Sequence, residues 1–316
     1  MESEVAKNTF NSRLLIVSLQ SNGVAIAQLL QQQILDATGL LSMGTKLGDF
    51  SDGVKLTAKT IPLQRLSNDI PIIYRSAIAF KLASLWEQPA LDIAEGLTAS
   101  LAVTNENISS QTCLEFNVEV VLPGWINFRL NEVSLAFWLQ QLIQKPSLWR
   151  EGVGEMERES KDTRNLFSIQ YAHARCCSLL RLAHREGLIS LKDLDFKTDD
   201  WQLVEPNPIP WLNERQEAAT NQLILALVHP AERRLIAQIL DVSDSINNLE
   251  QLKAVKLANS LSEAFEGFYS GCRIWGEVKI HALRLAQARL GLVGVTQGLL
   301  RSLLQDQLGV SAPVEL

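Results

Sequence analysis

Cysteine and histidine are both scarce in this chain, four of each in 316 residues. Cys113, Cys176, Cys177 and Cys272 form no CxxC pair and no framework spacing, which excludes a disulfide scaffold of the secreted kind and fits a reducing cytoplasm. His173, His184, His229 and His281 make no HExxH and no close Cys/His pattern, so no metal site is expected. His173 with Cys176 and Cys177 is the nearest thing to a ligand set, but adjacent helical residues point about 100° apart. Small buried thiols are the commoner outcome. A thiol nucleophile at Cys176 or Cys177 with His184 lacks any visible oxyanion or base-orienting partner. Neither GxxxxGK[ST] nor GxGxxG after a strand occurs, so no phosphate-cradling loop and no cofactor are expected. No apolar run reaches the 18 or so residues of a membrane span, and the first residues lack the basic region of a secretory leader. A positive field is missing too. The net charge is −6, so nothing draws the whole molecule onto DNA or anionic lipid, and any contact with RNA must be local.

What is present is a hydrophobic fraction of 47%, enough for substantial cores, in a length that suits two domains. In the first half, "VAIAQLLQQQILDATG" has helical spacing, and "SAIAFKLASLWEQPALDIAEGLTASL" reads as two short helices broken by Pro89. "CLEFNVEVVLPGWINFRL" alternates Leu114, Phe116, Val118 and Val120 with polar partners, turns at Pro123 and Gly124, and continues as a second strand. Residues 145–165 are charged, glycine-bearing and without apolar period, which marks a linker. Beyond it Leu252, Val255, Ala258, Leu261, Phe265, Phe268 and Cys272 keep three/four spacing, and a long helical pattern ends at Gly309 and Pro313. Pro206, Pro208 and Pro210 forbid a continuous helix across 187–213 and predict a long connection there. The expected fold is therefore α+β. An α/β-mixed domain over 1–147 and a linker over 148–164 precede an all-α helical bundle over 165–316.

Two helices stand out as locally basic. Between 169 and 185 there is no carboxylate, while Tyr171 and Arg175 share a helix face, as do Arg181 and Arg185. From Arg273 to Arg301 the cations Arg273, Lys279, Arg284, Arg289 and Arg301 face Glu277 alone. Tyr269 and Arg273 repeat the aromatic-then-arginine spacing of Tyr171 and Arg175, a combination suited to stacking an unpaired base beside a phosphate contact. On pattern alone, interior tyrosines and surface arginines account for it as well. Trp86, Trp138 and Trp149 are read as packing residues.

Several words, in order, carry a resemblance. "NLFSIQYAHARCCSLLR" resembles the helix that opens the anticodon-binding (DALR) domain of arginyl-tRNA synthetases, and "LANSLSEAFEGFYSGCRI" and "ARLGLVGVTQGLLRSLLQDQLGVSAPVEL" are similar to its later helices. "YRSAIAFKLASLWEQPALDIAEGL" and "VEVVLPGWINFRL" resemble the N-terminal additional domain of the same family. Between the halves that family places a catalytic domain with HIGH-type and KMSKS-type signatures. About fifteen residues stand here instead, too few for a nucleotide-binding sheet built of several βαβ units.

The resemblance implies a noncatalytic tRNA-binding protein, directed at arginine tRNA and holding it through the anticodon region, in the cytoplasm. A tRNA-modifying or translation-related protein is the implied further partner. It places Tyr171, Arg175 and Tyr269 on the anticodon side, with Arg273 where some members place an aromatic, and Tyr74, Arg75 and Ser76 on the side of the tRNA elbow; the two basic helices add Arg181, Arg284 and Arg289 to the anticodon side as phosphate contacts. At the elbow side the sequence departs from the family, with Ser76 for an asparagine and Tyr74 for a glutamine. Pro123, Gly124, Ile126 and Asn127 keep the family's "PGFIN" word, with Trp125 for its phenylalanine, and are read as structural. Two alternatives stay open. One is a protein-interaction scaffold without RNA affinity; the other is the arginine–tRNA ligase activity that domain similarity alone would assign.

Overall fold

Alternation builds the first unit. In a strand successive side chains face opposite sides, and over β4 (Cys113–Val121) Leu114, Phe116, Val118 and Val120 are buried while Glu115 and Asn117 are exposed. The same parity buries Leu15 and Val17 of β1 (Arg13–Ser18), Tyr74 and Ser76 of β3 (Ile73–Ser76), and Ile126, Phe128 and Leu130 of β5 (Trp125–Leu130). With β2 (Leu63–Arg65) these strands form one antiparallel sheet in the order β1-β4-β5-β3-β2. Val118, Phe128 and Tyr74 lie in register across three of them and make the centre of the core. The helices α2 (Ile78–Trp86) and α3 (Ala90–Val103) pack against the sheet, separated at Pro89 as expected. The turn from β4 into β5 needs Gly124, because a Cβ there would sit 2.9 Å from the Cβ of Ala90. The helix α1 (Ile26–Gly44) reaches this unit through Leu41, which packs against Gly96.

The computed structural model describes residues 13–18, 25–44, 56–66, 71–103, 113–144, 166–192, 202–217, 220–246 and 251–316. The linker expected at 148–164, and Trp149 beside it, lie outside the described residues. Two compact units divide within α4 (Glu132–Gln144), between Ser134 and Leu135, whereas the sequence placed all of 1–147 in one domain. The cause is Gln140. Its side-chain oxygen accepts hydrogen bonds from the Ile209 backbone N–H at 3.0 Å and from the Trp211 indole at 2.9 Å, so most of α4 is fastened to the second unit. Trp138 on the same helix is fully buried, as its reading as a packing residue requires.

The second unit is helical, with α5 (Phe167–Arg185), α6 (Pro230–Ser245), α7 (Gln251–Gly271) and α9 (Leu283–Ser302) packed together and a short α8 (Glu277–His281) before α9. It is not all-α. The proline-bearing connection holds two antiparallel pairs, β6 (Ser190–Lys192) with β7 (Gln202–Glu205) and β8 (Leu212–Glu217) with β9 (Thr220–Leu225). The prolines lie between β7 and β8 and interrupt neither. Buried residues on nearly every side make α9 the central helix of the unit. A five-residue π turn, Leu303–Gln307, closes it, and Gly309 follows with a left-handed φ of 67°.

Candidate functional site

The face of α5 toward the core carries Ile169, Ala172, Cys176, Leu179, Leu180 and Ala183, all buried. The opposite stripe therefore faces out. Phe167 is 65% exposed and Tyr171 47%, their rings stacked with centroids 6.3 Å apart. Across from them α7 presents Tyr269, 39% exposed and stacked on the buried Phe265 at 6.4 Å. Arg175 joins the two helices. Its guanidinium lies over the Tyr269 ring, 4.7 Å from the centroid, and donates a hydrogen bond to the Tyr269 hydroxyl. The two aromatic–arginine pairs read along single helices are thus one cluster, with Arg175 paired to the aromatic of the other helix. Arg273 is exposed one turn beyond Tyr269. Phe167 belongs to this shelf and sequence reasoning missed it, although its i,i+4 spacing from Tyr171 was the available signal.

Other expected contacts fall elsewhere. Arg289 is buried. Its Nε donates to Glu232 Oε1 at 2.7 Å, and it also donates to the Arg273 carbonyl. Glu232 in turn accepts from the His229 backbone N–H at 2.8 Å, closing the capping box of α6. A guanidinium so enclosed cannot meet a phosphate, so Arg289 is corrected to an internal strut. Arg181 has a side chain only 12% exposed, held by Glu315 at 2.7 Å and by the Val314 carbonyl at 2.8 Å. Arg284 is exposed and donates to the Leu212 carbonyl at 3.3 Å.

On the elbow side, strand parity corrects two residues. Tyr74 and Ser76 point into the core, where Ser76 Oγ donates to the Pro62 carbonyl at 2.8 Å. Arg75 faces the other way. It lies over Trp125, 5.6 Å from the ring centroid, and its Nε donates to Asn127 Oδ1 at 2.8 Å. Asn127 Nδ2 donates to Glu119 at 3.0 Å, and Phe80 meets Trp125 edge-on at 4.9 Å. Trp125, read from sequence as structural, therefore shares the outer face of the sheet with the one polar side chain of the 74–76 trio that points outward.

The thiol cluster offers no nucleophile. Burial pushes the Cys176 thiol well above its ordinary range, and the neighbouring Cys177 adds to the rise. Cys272 is pushed up to about 11, first by burial and then by the Glu232 carboxylate. His173 is fully buried between two partners: one ring nitrogen donates to the Pro313 carbonyl at 2.9 Å, and the other accepts from Gln297 at 3.0 Å. Both nitrogens are used structurally. His184 accepts the Leu191 backbone N–H at 3.2 Å and borders an open groove of about 680 Å³ with Ser190, Glu205, Asn207 and Gln287. Among the described residues no group of three or more His, Cys, Asp or Glu could hold a metal ion, and no helix is long and apolar enough to cross a membrane.

Residues 211–316 match the family model of the DALR anticodon binding domain. Among curated proteins, the chain is similar to the arginine–tRNA ligase of Synechococcus sp., with 32% identity over 149 residues, 46% of this chain and 21% of that protein. The arginine–tRNA ligase of Pelodictyon phaeoclathratiforme is 35% identical over 161 residues, 50% of this chain and 24% of that protein. That of Heliobacterium modesticaldum is 28% identical over 163 residues, again 50% and 24%. The chain thus spans less than a quarter of the length of these relatives. No solved structure matches it.

Proposed function

We propose that this chain is a noncatalytic tRNA-binding protein that holds an arginine-type tRNA through its anticodon region. One observation carries the reading: the Phe167–Tyr171 stack and the Arg175–Tyr269 pair form an exposed aromatic and cationic shelf on the half of the chain similar to arginine–tRNA ligases. Aromatic faces take splayed loop bases, and guanidinium groups take the phosphates between them. Arg273, one turn beyond Tyr269, is exposed and adds a positive charge at the same helix end. The relatives are ligases of arginine and tRNA, and the internal segment 148–164 is too short for the nucleotide-binding sheet that an adenylate-forming site requires. Holding the RNA, in the cytoplasm and for a tRNA-modifying or translation-related partner, is the role that this arrangement supports.

Filter binding of purified tRNA at two ionic strengths tests it. Retention at low salt that falls steeply on adding salt is expected, because phosphate contacts release counterions. Equal and negligible retention at both would end the reading. A second reading has its own observation. Arg181 is paired with the exposed Glu315 carboxylate and Arg289 with the buried Glu232, and the net charge is −6, which suits a protein-interaction scaffold. Recovery of a protein partner with no RNA from a lysate free of nuclease would decide for it.

A further inference from the structure

The segment Ser311–Glu315 runs alongside α5 and is fastened to it at three points. Gln170 Nε2 donates to the Ser311 carbonyl at 3.0 Å, His173 to the Pro313 carbonyl at 2.9 Å, and Arg181 Nη2 to the Val314 carbonyl at 2.8 Å. These three anchors are main-chain carbonyls. The fourth contact differs in kind: Arg181 Nη1 meets the Glu315 carboxylate at 2.7 Å, and that carboxylate is 76% exposed. Along α5, Arg181 lies ten residues from Tyr171, which at 100° per residue puts it about 80° around the helix. It stands about 15 Å further along the helix axis than Tyr171, beyond the shelf on α5.

We infer that Glu315 is a built-in competitor for RNA phosphate at Arg181, so that this segment is an acidic strap that limits the affinity of α5 for RNA. The inference rests on the tRNA-binding reading. A guanidinium has five N–H donors in a planar fork suited to a bidentate oxyanion. Val314 and Glu315 occupy two of its arms, and the carboxylate places a negative charge where a phosphate would approach. Three carbonyl anchors keep the strap in place when that charge is removed, so neutralising Glu315 frees one arm of Arg181 without releasing the backbone. The gain is modest because the ion pair is partly in solvent. No bond is made or broken, and the strap acts by occupancy alone.

Fluorescence anisotropy of labelled tRNA with the full chain, repeated over a salt series, tests the inference through a double-mutant cycle. Glu315→Gln is expected to tighten binding by about two- to fivefold and to steepen the log–log salt dependence by about one unit, the signature of one more phosphate contact. Arg181→Gln alone serves as the reference against which the double variant is read. Combined with Glu315→Gln, it is expected to abolish the gain. Glu315 is exposed, so its variant tests charge without disturbing the core. Affinity and slope unchanged in Glu315→Gln, or a gain that survives the loss of Arg181, overturns the inference while leaving tRNA binding intact. No binding by any variant or by the parent instead overturns the tRNA-binding reading.

Discussion

Arg175 and Arg289 look alike in sequence, each an arginine on a helix with few acidic neighbours, and the structure gives them opposite roles. Arg289 sits within "AQARLGLVGV", where Ala286, Ala288, Leu290 and Leu292 are all buried, and that density of apolar neighbours marks an interior position. Its partner Glu232 lies 57 positions earlier, and no local spacing reveals such a pair. The shared outward face of Tyr171 and Arg175 was legible, because a 3.6-residue period separates it from the buried face, while Phe167, one turn earlier on that face, was passed over. The pairing of Arg175 with Tyr269 was not, since it depends on how two helices cross. Under the proposed function the shelf separates two kinds of RNA contact. Tyr171→Ala is expected to weaken tRNA binding by about tenfold, the loss of one stacked base, with an unchanged salt slope. Arg175→Ala is expected to weaken binding and also to lower the slope by about one, the loss of one phosphate contact. Anisotropy titrations over a salt series check both. Identical slopes in the two variants would remove the division of labour between ring and guanidinium.

At the scale of elements, the strands of the first unit and the helices of the second follow from two periods, 2 and 3.6, each written plainly in the chain. The two β-pairs between α5 and α6 do not. Three prolines within five residues announce a break but say nothing of the strands on either side, and the short β6 and β7 carry too few residues to establish a period. Strand parity was equally legible at 72–76, where Ile72, Tyr74 and Ser76 alternate with Ile73 and Arg75. Family resemblance drew attention to Tyr74, Arg75 and Ser76 together, and parity leaves only Arg75 facing outward. The docking of α4 on the second unit turns on a glycine. Trp211, held by Gln140, lies against α9 at Gly291, where an added Cβ would stand 2.5 Å from the indole Cη2 and 3.0 Å from Ile209 Cγ2. Gly291→Ala gains about 1 kcal/mol of helix propensity but overpacks a fully buried contact at a cost of about 1–3 kcal/mol. The clash wins, because the obstructing atoms belong to a rigid ring pinned by its own hydrogen bond. A lower melting temperature in a thermal unfolding scan is expected, and a rise would show that Trp211 has room to withdraw.

For the whole molecule, charge decides what kind of binding is available. A chain at −6 has no long-range attraction to a polyanion, so the RNA contacts proposed for it would act within about a Debye length, roughly 8 Å at physiological salt. That favours a folded RNA presented at one place, with few phosphates neutralised, over coating of any nucleic acid. The same scale governs chemistry. Amino-acid activation must bind ATP and arginine together and exclude water around the forming adenylate. Among the described residues the shelf faces outward, the groove beside His184 is open, and burial raises the Cys176 and Cys272 thiols. An arginine-dependent exchange of labelled pyrophosphate into ATP, run with pure protein and saturating tRNA, is therefore expected to give no incorporation above the protein-free control. The same preparation is expected to retain tRNA on a filter at low salt. Incorporation that scales with protein concentration would mean that the chain activates an amino acid, and the noncatalytic half of the proposal would fall even if RNA binding stood.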